Sequence, residues 1–178
     1  MSAPEPARPE PDAKDWTWTL ERPCPECGFD AASVEPVAIP ALVRDAASRW
    51  PEVLGRPDAR IRPASTTWSP LEYGCHVRDV HRLFRQRLEL MLTEDNPTFA
   101  NWDQDETALG ERYWEQDPAV VAGEVTESGE ELADAYTRVG DDDWGRIGVR
   151  SNGSTFTVDS LGRYLLHDLF HHVWDVRG

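Results

Sequence analysis

Lysine is almost missing from this sequence: Lys14 is the only one among 18 cationic side chains. Cations of either kind are outnumbered by 33 acids, and the formal net charge is −15. That balance excludes sequence-independent nucleic-acid binding, which depends on Lys and Arg neutralising phosphates, and it excludes an anionic membrane surface as partner. Long apolar runs are missing too. None approaches the roughly 18 residues a membrane span requires, and the N-terminal MSAPEPARPEPDAK has no apolar signal-peptide core, so the expected location is cytoplasmic. Cysteine is limited to three, an odd number that does not close a disulfide framework.

What is present suffices for one domain. The chain has 178 residues, 39% of them hydrophobic, with eight tryptophans, enough to bury a core in spite of the charge. The acid is concentrated in two blocks. Residues 94–117 carry eight acids against Arg112, and residues 124–143 carry eight against Arg138. The second block falls on one face of a helical pattern and reads as a solvated surface.

Residues 1–14, with four prolines and no apolar periodicity, read as a disordered arm. Residues 15–35 form a small extension around the turn Cys24-Pro25-Glu26-Cys27-Gly28, and residues 36–178 form the main domain. Its first helix is expected from Pro36 to Trp50, with Val37, Leu42, Val43, Ala46, Ala47 and Trp50 inward and Pro51, Gly55 and Pro57 closing it. The second begins at Ser69-Pro70-x-Glu72, a cap, a proline for the first helical position and a capping-box acid. Tyr73, Val77, Val80, Phe84, Leu88 and Met91 then mark its core face, and Asn96-Pro97 ends it. A long acidic crossover, with Phe99, Trp102, Tyr113 and Trp114 embedded, leads to a third helix from Pro118. Residues 141–157 read as loop with a hairpin at Ser151-Asn152-Gly153. A fourth helix runs from Val158 to Val176, capped by Thr157 or Asp159. The expected fold is all-α: a four-helix bundle with a long crossover between helices 2 and 3 and an irregular N-terminal extension.

All five histidines sit on two of these helices: His76 and His81 on the second, His167, His171 and His172 on the fourth. His167 and His171, four apart, share a face one turn from each other, which is ligand spacing for a metal. His76 is the better third candidate, because antiparallel packing brings the start of helix 2 level with the end of helix 4. His81 and His172 diverge from these directions around their helices. Glu72, Asp79 and Asp175 lie three or four residues from the expected ligands, placed to accept a second ring N–H.

Trp68-Ser69-Pro70-Leu71-Glu72-Tyr73-Gly74-Cys75-His76-Val77-Arg78-Asp79 resembles the second-helix motif of the DinB-like superfamily. His167-Asp168-Leu169-Phe170-His171 resembles its fourth-helix H-D-x-x-H, and the resemblance runs from about Pro36 to Val176. Within it, the chain is similar to members related to mycothiol-dependent maleylpyruvate isomerase and to the bacillithiol- and mycothiol-dependent S-transferases. One departure is the continuation His172-Val173-Trp174-Asp175, where many members carry a Gly-Gln or similar pair. The resemblance implies a divalent metal, zinc or nickel, held by His76, His167 and His171. A thiol bound at such an ion is deprotonated to a nucleophile, and a water there becomes a hydroxide equivalent.

The functional expectation is therefore a metal-dependent S-transferase or isomerase. It would join mycothiol or another low-molecular-weight thiol to a small-molecule electrophile, with neither nucleic acid nor membrane as partner and a homodimer as a possible assembly. The alternatives are a metal-dependent hydrolase on the same site and a non-catalytic metal- or ligand-binding bundle. Cys24-x-x-Cys27 is half of a zinc knuckle; a plain turn is its simplest reading, with a metal clip and redox chemistry as alternatives. Cys75 reads as a small buried hydrophobe. If the crossover passes over the metal end, Trp102 and the acids beside it would wall a pocket; otherwise they form a solvated loop.

Overall fold

The protein is described here by a computed structural model, covering residues 6–9 and 16–178. For residues 1–5 and 10–14, the expected disordered arm lies outside the described residues. Residues 6–9 touch the body of the protein: the Arg8 guanidinium pairs with Glu106 at 2.9 Å, and that of Arg62 donates to the Ala7 carbonyl at 2.6 Å.

The first bundle position holds two helices, α1 (Ile39–Ser48) and α2 (Trp50–Leu54). Pro51 does not close the helical region; Gly55, at the end of α2, does. Pro51 sits in the first turn of α2, where its missing N–H leaves no hydrogen bond unmade. Val43, Ala46, Ala47 and Trp50 are buried as expected, but Val37 is 83% exposed. It belongs to a separate 3₁₀ turn, Pro36–Ala38, ahead of α1 and off its apolar stripe.

The second bundle helix, α3 (Pro70–Thr93), starts at the expected capping box, with Ser69 and Glu72 satisfying each other's backbone N–H groups. The Glu72 carboxylate is buried and ion-paired to Arg62, which ties the loop before α3 to its first turn. The crossover folds on itself. It contains a short strand β1 (Thr98–Phe99), a helix α4 (Gln104–Gly110) capped by Asp103, and a 3₁₀ turn at Tyr113–Glu115. Then come α5 (Pro118–Thr137), capped by Asp117, β2 (Ile147–Arg150), β3 (Thr155–Thr157) and α6 (Val158–Asp175). Thr157, not Asp159, caps α6; Asp159 instead pairs with Arg163 at 2.8 Å.

The fold is thus mostly helical rather than purely so. Strand β2 pairs antiparallel with β3 through the expected hairpin, and parallel with β1 from the crossover. The crossover is thereby fastened to the loop before α6. Around the core, α5 packs against α1 and α3 while α6 packs against both. Buried Leu71, Val77, Leu88, Val125, Leu132, Leu161 and Leu165 fill the space between them, each worth about 1.5–3 kcal/mol of apolar burial. The acids of α5 line its outer face: Glu127, Glu130, Glu131 and Asp134 are exposed, as expected of a solvated surface. The 3₁₀ turns of the extension, Thr17–Leu20 and Ala31–Ser33, lie along α6.

Candidate metal centre

Helix α6 presents two ligand-spaced pairs, because each residue turns the helix by about 100°. His167 and His171 form one face, and Asp168 and His172 the next. Tertiary packing decides which partners meet each face. The antiparallel approach of α3 brings His76 to the second face, with its ring centroid 4.8 Å from that of His172. The donor atoms of His76, Asp168 and His172 all lie within 4.8 Å of one another. The first face meets the N-terminal extension instead, where Cys24, Cys27, His167 and His171 form a second group of the same compactness. The three histidines expected to act together are therefore divided between two adjacent groups.

His76 is 2% exposed, and neither of its ring nitrogens has a hydrogen-bond partner among the described residues. Its Nε2 lies 3.9 Å from Asp168 Oδ2, and His172 Nε2 lies 3.6 Å from Asp168 Oδ1. The other nitrogen of His172, Nδ1, is 2.9 Å from Asp175 Oδ2. A carboxylate there holds the proton on Nδ1 and leaves Nε2 as the donor facing the group. Burial, with a smaller effect of His172, holds His76 well below the usual imidazole range. The ring is neutral at pH 7 and keeps a lone pair for a cation.

The carboxylates expected beside the ligands divide likewise. Asp175 takes the role, facing His171 Nε2 at 3.9 Å as well as His172. Glu72 is engaged by Arg62 and by the backbone and hydroxyl of Ser69. Asp79 accepts from Arg78 at 2.9 Å and from the Tyr113 hydroxyl. Both acids fasten α3 to its neighbours rather than serving His76. Cys75 is fully buried one residue before His76, and burial pushes its thiol up to about 12. It stays a protonated, inert core group, as its sequence context suggests.

Both groups border one cavity of about 990 Å³. The crossover does pass over this end: Trp102 stacks on His76 at 5.4 Å and 14°, and Asp103 and Asp105 line the wall. Trp68 and Tyr73 close another side, packing on His76 and His172. Arg150, at the end of β2, is the single arginine or lysine on the wall among the described residues. Its place there has no local signature along the chain, because it depends on β2 pairing with the crossover strand.

The helical bundle thus carries two compact groups of side chains that could each hold a metal ion. Residues 41–176 match the model of the DinB superfamily, and this chain belongs to that superfamily. A structural relative is YfiT from Bacillus subtilis, described as a probable metal-dependent hydrolase with an unusual four-helix bundle topology. It superposes with a TM-score of 0.66 at 16% identity, covering 83% of this chain and 85% of that one. No curated protein matches the sequence.

Proposed function

We propose that this protein is a divalent-metal-dependent enzyme that activates a small nucleophile beside His76, Asp168 and His172 and directs it at a small electrophile in the cavity. The observation that carries the reading is His76, whose two ring nitrogens are buried without hydrogen-bond partners among the described residues beside a second imidazole and a carboxylate. Leaving a buried polar group unsatisfied costs about 1–3 kcal/mol, and a cation shared with Asp168 and His172 would relieve that cost. Two imidazoles and one carboxylate suit zinc, with nickel also compatible, and leave a coordination position open. An ion held there would acidify a bound water or thiol.

The chain's own groups supply the rest. Asp175 orients His172, and Trp102 and Trp68 shield His76 from bulk water. Arg150 offers the cation that would hold an anionic end of the substrate. Water is the first reading for the nucleophile, supported by the description of YfiT as a probable hydrolase. A low-molecular-weight thiol such as mycothiol is the second. It is favoured by a cavity of about 990 Å³, roomy enough for a thiol and an electrophile together.

The test is metal analysis and activity of the intact protein beside His76→Ala and His172→Ala. Both variants are expected to lose one bound ion and all turnover. Full metal content and activity in His76→Ala would overturn the reading. The alternative grouping of His76 with His167 and His171 requires His172→Ala to keep full metal content and turnover, and His171→Ala to abolish turnover. Turnover of esters, amides and thioesters without thiol, with ¹⁸O from water in the product, identifies a hydrolase. Product formed only with mycothiol or bacillithiol identifies a transferase.

A further inference from the structure

The cysteine turn and the first face of α6 make a second donor group that the proposed reaction does not use. The chain turns tightly at Cys24–Gly28: the Gly28 N–H donates to the Cys24 carbonyl at 2.8 Å and the Cys24 N–H to the Phe29 carbonyl at 3.0 Å. Gly28 has φ +74°, a left-handed conformation that glycine adopts without strain. This turn brings both thiols to the same side, against α6. Phe29 then stacks on Phe170 at 4.8 Å and 14°, and Trp16 packs on His167 and His171 at 5.3 and 5.2 Å. Cys24 is 1% exposed and His167 is 4% exposed.

We propose that Cys24, Cys27, His167 and His171 bind a structural zinc ion that clamps the N-terminal extension onto α6, separately from the site at His76. All four donors lie within 4.8 Å of one another. Zinc–sulfur and zinc–nitrogen lengths set a tetrahedral S–N edge of about 3.6 Å, and Cys24 Sγ lies 3.7 Å from His171 Nδ1. His167 Nε2 is buried with no hydrogen-bond partner among the described residues, so it has a lone pair to give. His171 Nε2 faces Glu26 at 3.4 Å, a carboxylate that keeps the ring proton on that side and frees Nδ1 for the ion.

The donor set also decides against the other readings of the cysteine pair. A Cys24–Cys27 disulfide would leave His167 Nε2 without a partner among the described residues. A plain turn gives no reason for two imidazoles to converge on two thiols in a buried place. Two thiolates and two imidazoles match zinc, and four protein ligands close the coordination sphere, as in structural rather than catalytic sites. Each thiol gives up its proton to solvent as its sulfur binds, and no electrons are exchanged. The clamp also carries Trp16 into the cavity wall, so the extension becomes part of the substrate chamber.

The experiment uses the full-length protein. The intact chain is expected to hold about two zinc ions, and the double variant Cys24→Ser/Cys27→Ser about one. After cobalt replacement the intact protein should show a thiolate-to-cobalt charge-transfer band. That band is lost in Cys24→Ser/Cys27→Ser and in His167→Ala, and retained in His76→Ala. Should the cysteine variants fail to fold, the intact protein alone decides. With zinc bound, Cys24 and Cys27 resist a thiol reagent, and a chelator exposes both. Prompt labelling with zinc bound, a missing charge-transfer band, or the mass of a Cys24–Cys27 disulfide in the metal-loaded protein would overturn the proposal. Each of these outcomes is independent of whether His76→Ala abolishes turnover, so this clamp and the proposed active site stand or fall separately.

Discussion

His171 and His172 are consecutive residues of α6, yet they face different donor groups, with ring centroids 6.2 Å apart and planes crossed at 79°. The first points to the cysteine turn and the second to His76. The helical step of about 100° per residue lets one helix present two donor groups to one cavity, and it makes neighbouring substitutions separable.

Replacing these two histidines in turn should give opposite signatures. His172→Ala is expected to abolish turnover and keep the cobalt–thiolate band. His171→Ala should lose that band and the protection of both cysteines from thiol reagents. Cobalt spectra recorded beside steady-state rates read both effects. Identical spectra in the two variants would mean that the faces of α6 do not act separately.

Arg62→Ala should destabilise the fold by about 3 kcal/mol, since it leaves the buried Glu72 carboxylate without its cation. For a chain of this size that is a fall in melting temperature of about 10 °C. Glu72→Gln, which can still serve the cap at Ser69, should cost less. Thermal unfolding of both variants checks this, and a melting temperature for Arg62→Ala within a degree or two of the intact protein would refute it.

His81 introduces a pH dependence of stability remote from the cavity. Burial lowers it from the ordinary 6.5 to about 4, against a smaller opposing effect of the Val125 backbone, with the Arg82 charge nearby adding to the lowering. Its Nδ1 lies 3.1 Å from Ser128 Oγ on α5. Above pH 6.5 the ring is neutral in both folded and unfolded chains, so its full contribution is present. As the pH falls to 4 the unfolded chain takes up a proton that the folded one does not, and about 3 kcal/mol is lost. Urea unfolding at pH 7, 5.5 and 4.5 should show a shallower decline in His81→Gln than in the intact protein. Parallel curves would rule the effect out.

Helices α1 and α5 meet at a glycine. A Cβ on Gly129 would lie 2.7 Å from the Ala47 Cβ and 3.3 Å from His81 Cε1. Gly129→Ala gains about 1 kcal/mol of helix propensity, but overpacking costs about 1–3 kcal/mol. The expected result is a net loss of about 1 kcal/mol, partly restored in Ala47→Gly/Gly129→Ala. Equilibrium unfolding of the two variants tests this, and a stabilised single variant would show that the helices separate without cost.

Much of this architecture was legible along the chain because its causes are local. Ser69, Pro70 and Glu72 act within one turn, so the start of α3 could be read from four residues. The stripe from Val77 to Met91 follows from helical period alone. The crossover was less legible: the pairing of β1 with β2 joins residues some fifty positions apart, although the Asp103 cap of α4 is local. Val37 lies off the core because a 3₁₀ turn ahead of α1 interrupts the apolar stripe.

The site divides the same way. The sequence by itself determined that His167 and His171 share a helical face, that His76 lies in the first turns of a second helix, and that Cys24 and Cys27 flank one turn. It also contained the second pair, Asp168 and His172, at the same spacing. Only the tertiary structure decided which pair faces which partner. Spacing fixes side chains relative to their own helix axis. The rotation of α6 against α3 and the extension is set by packing between distant segments: Phe29 on Phe170, Trp16 on His167, and Trp102 over His76.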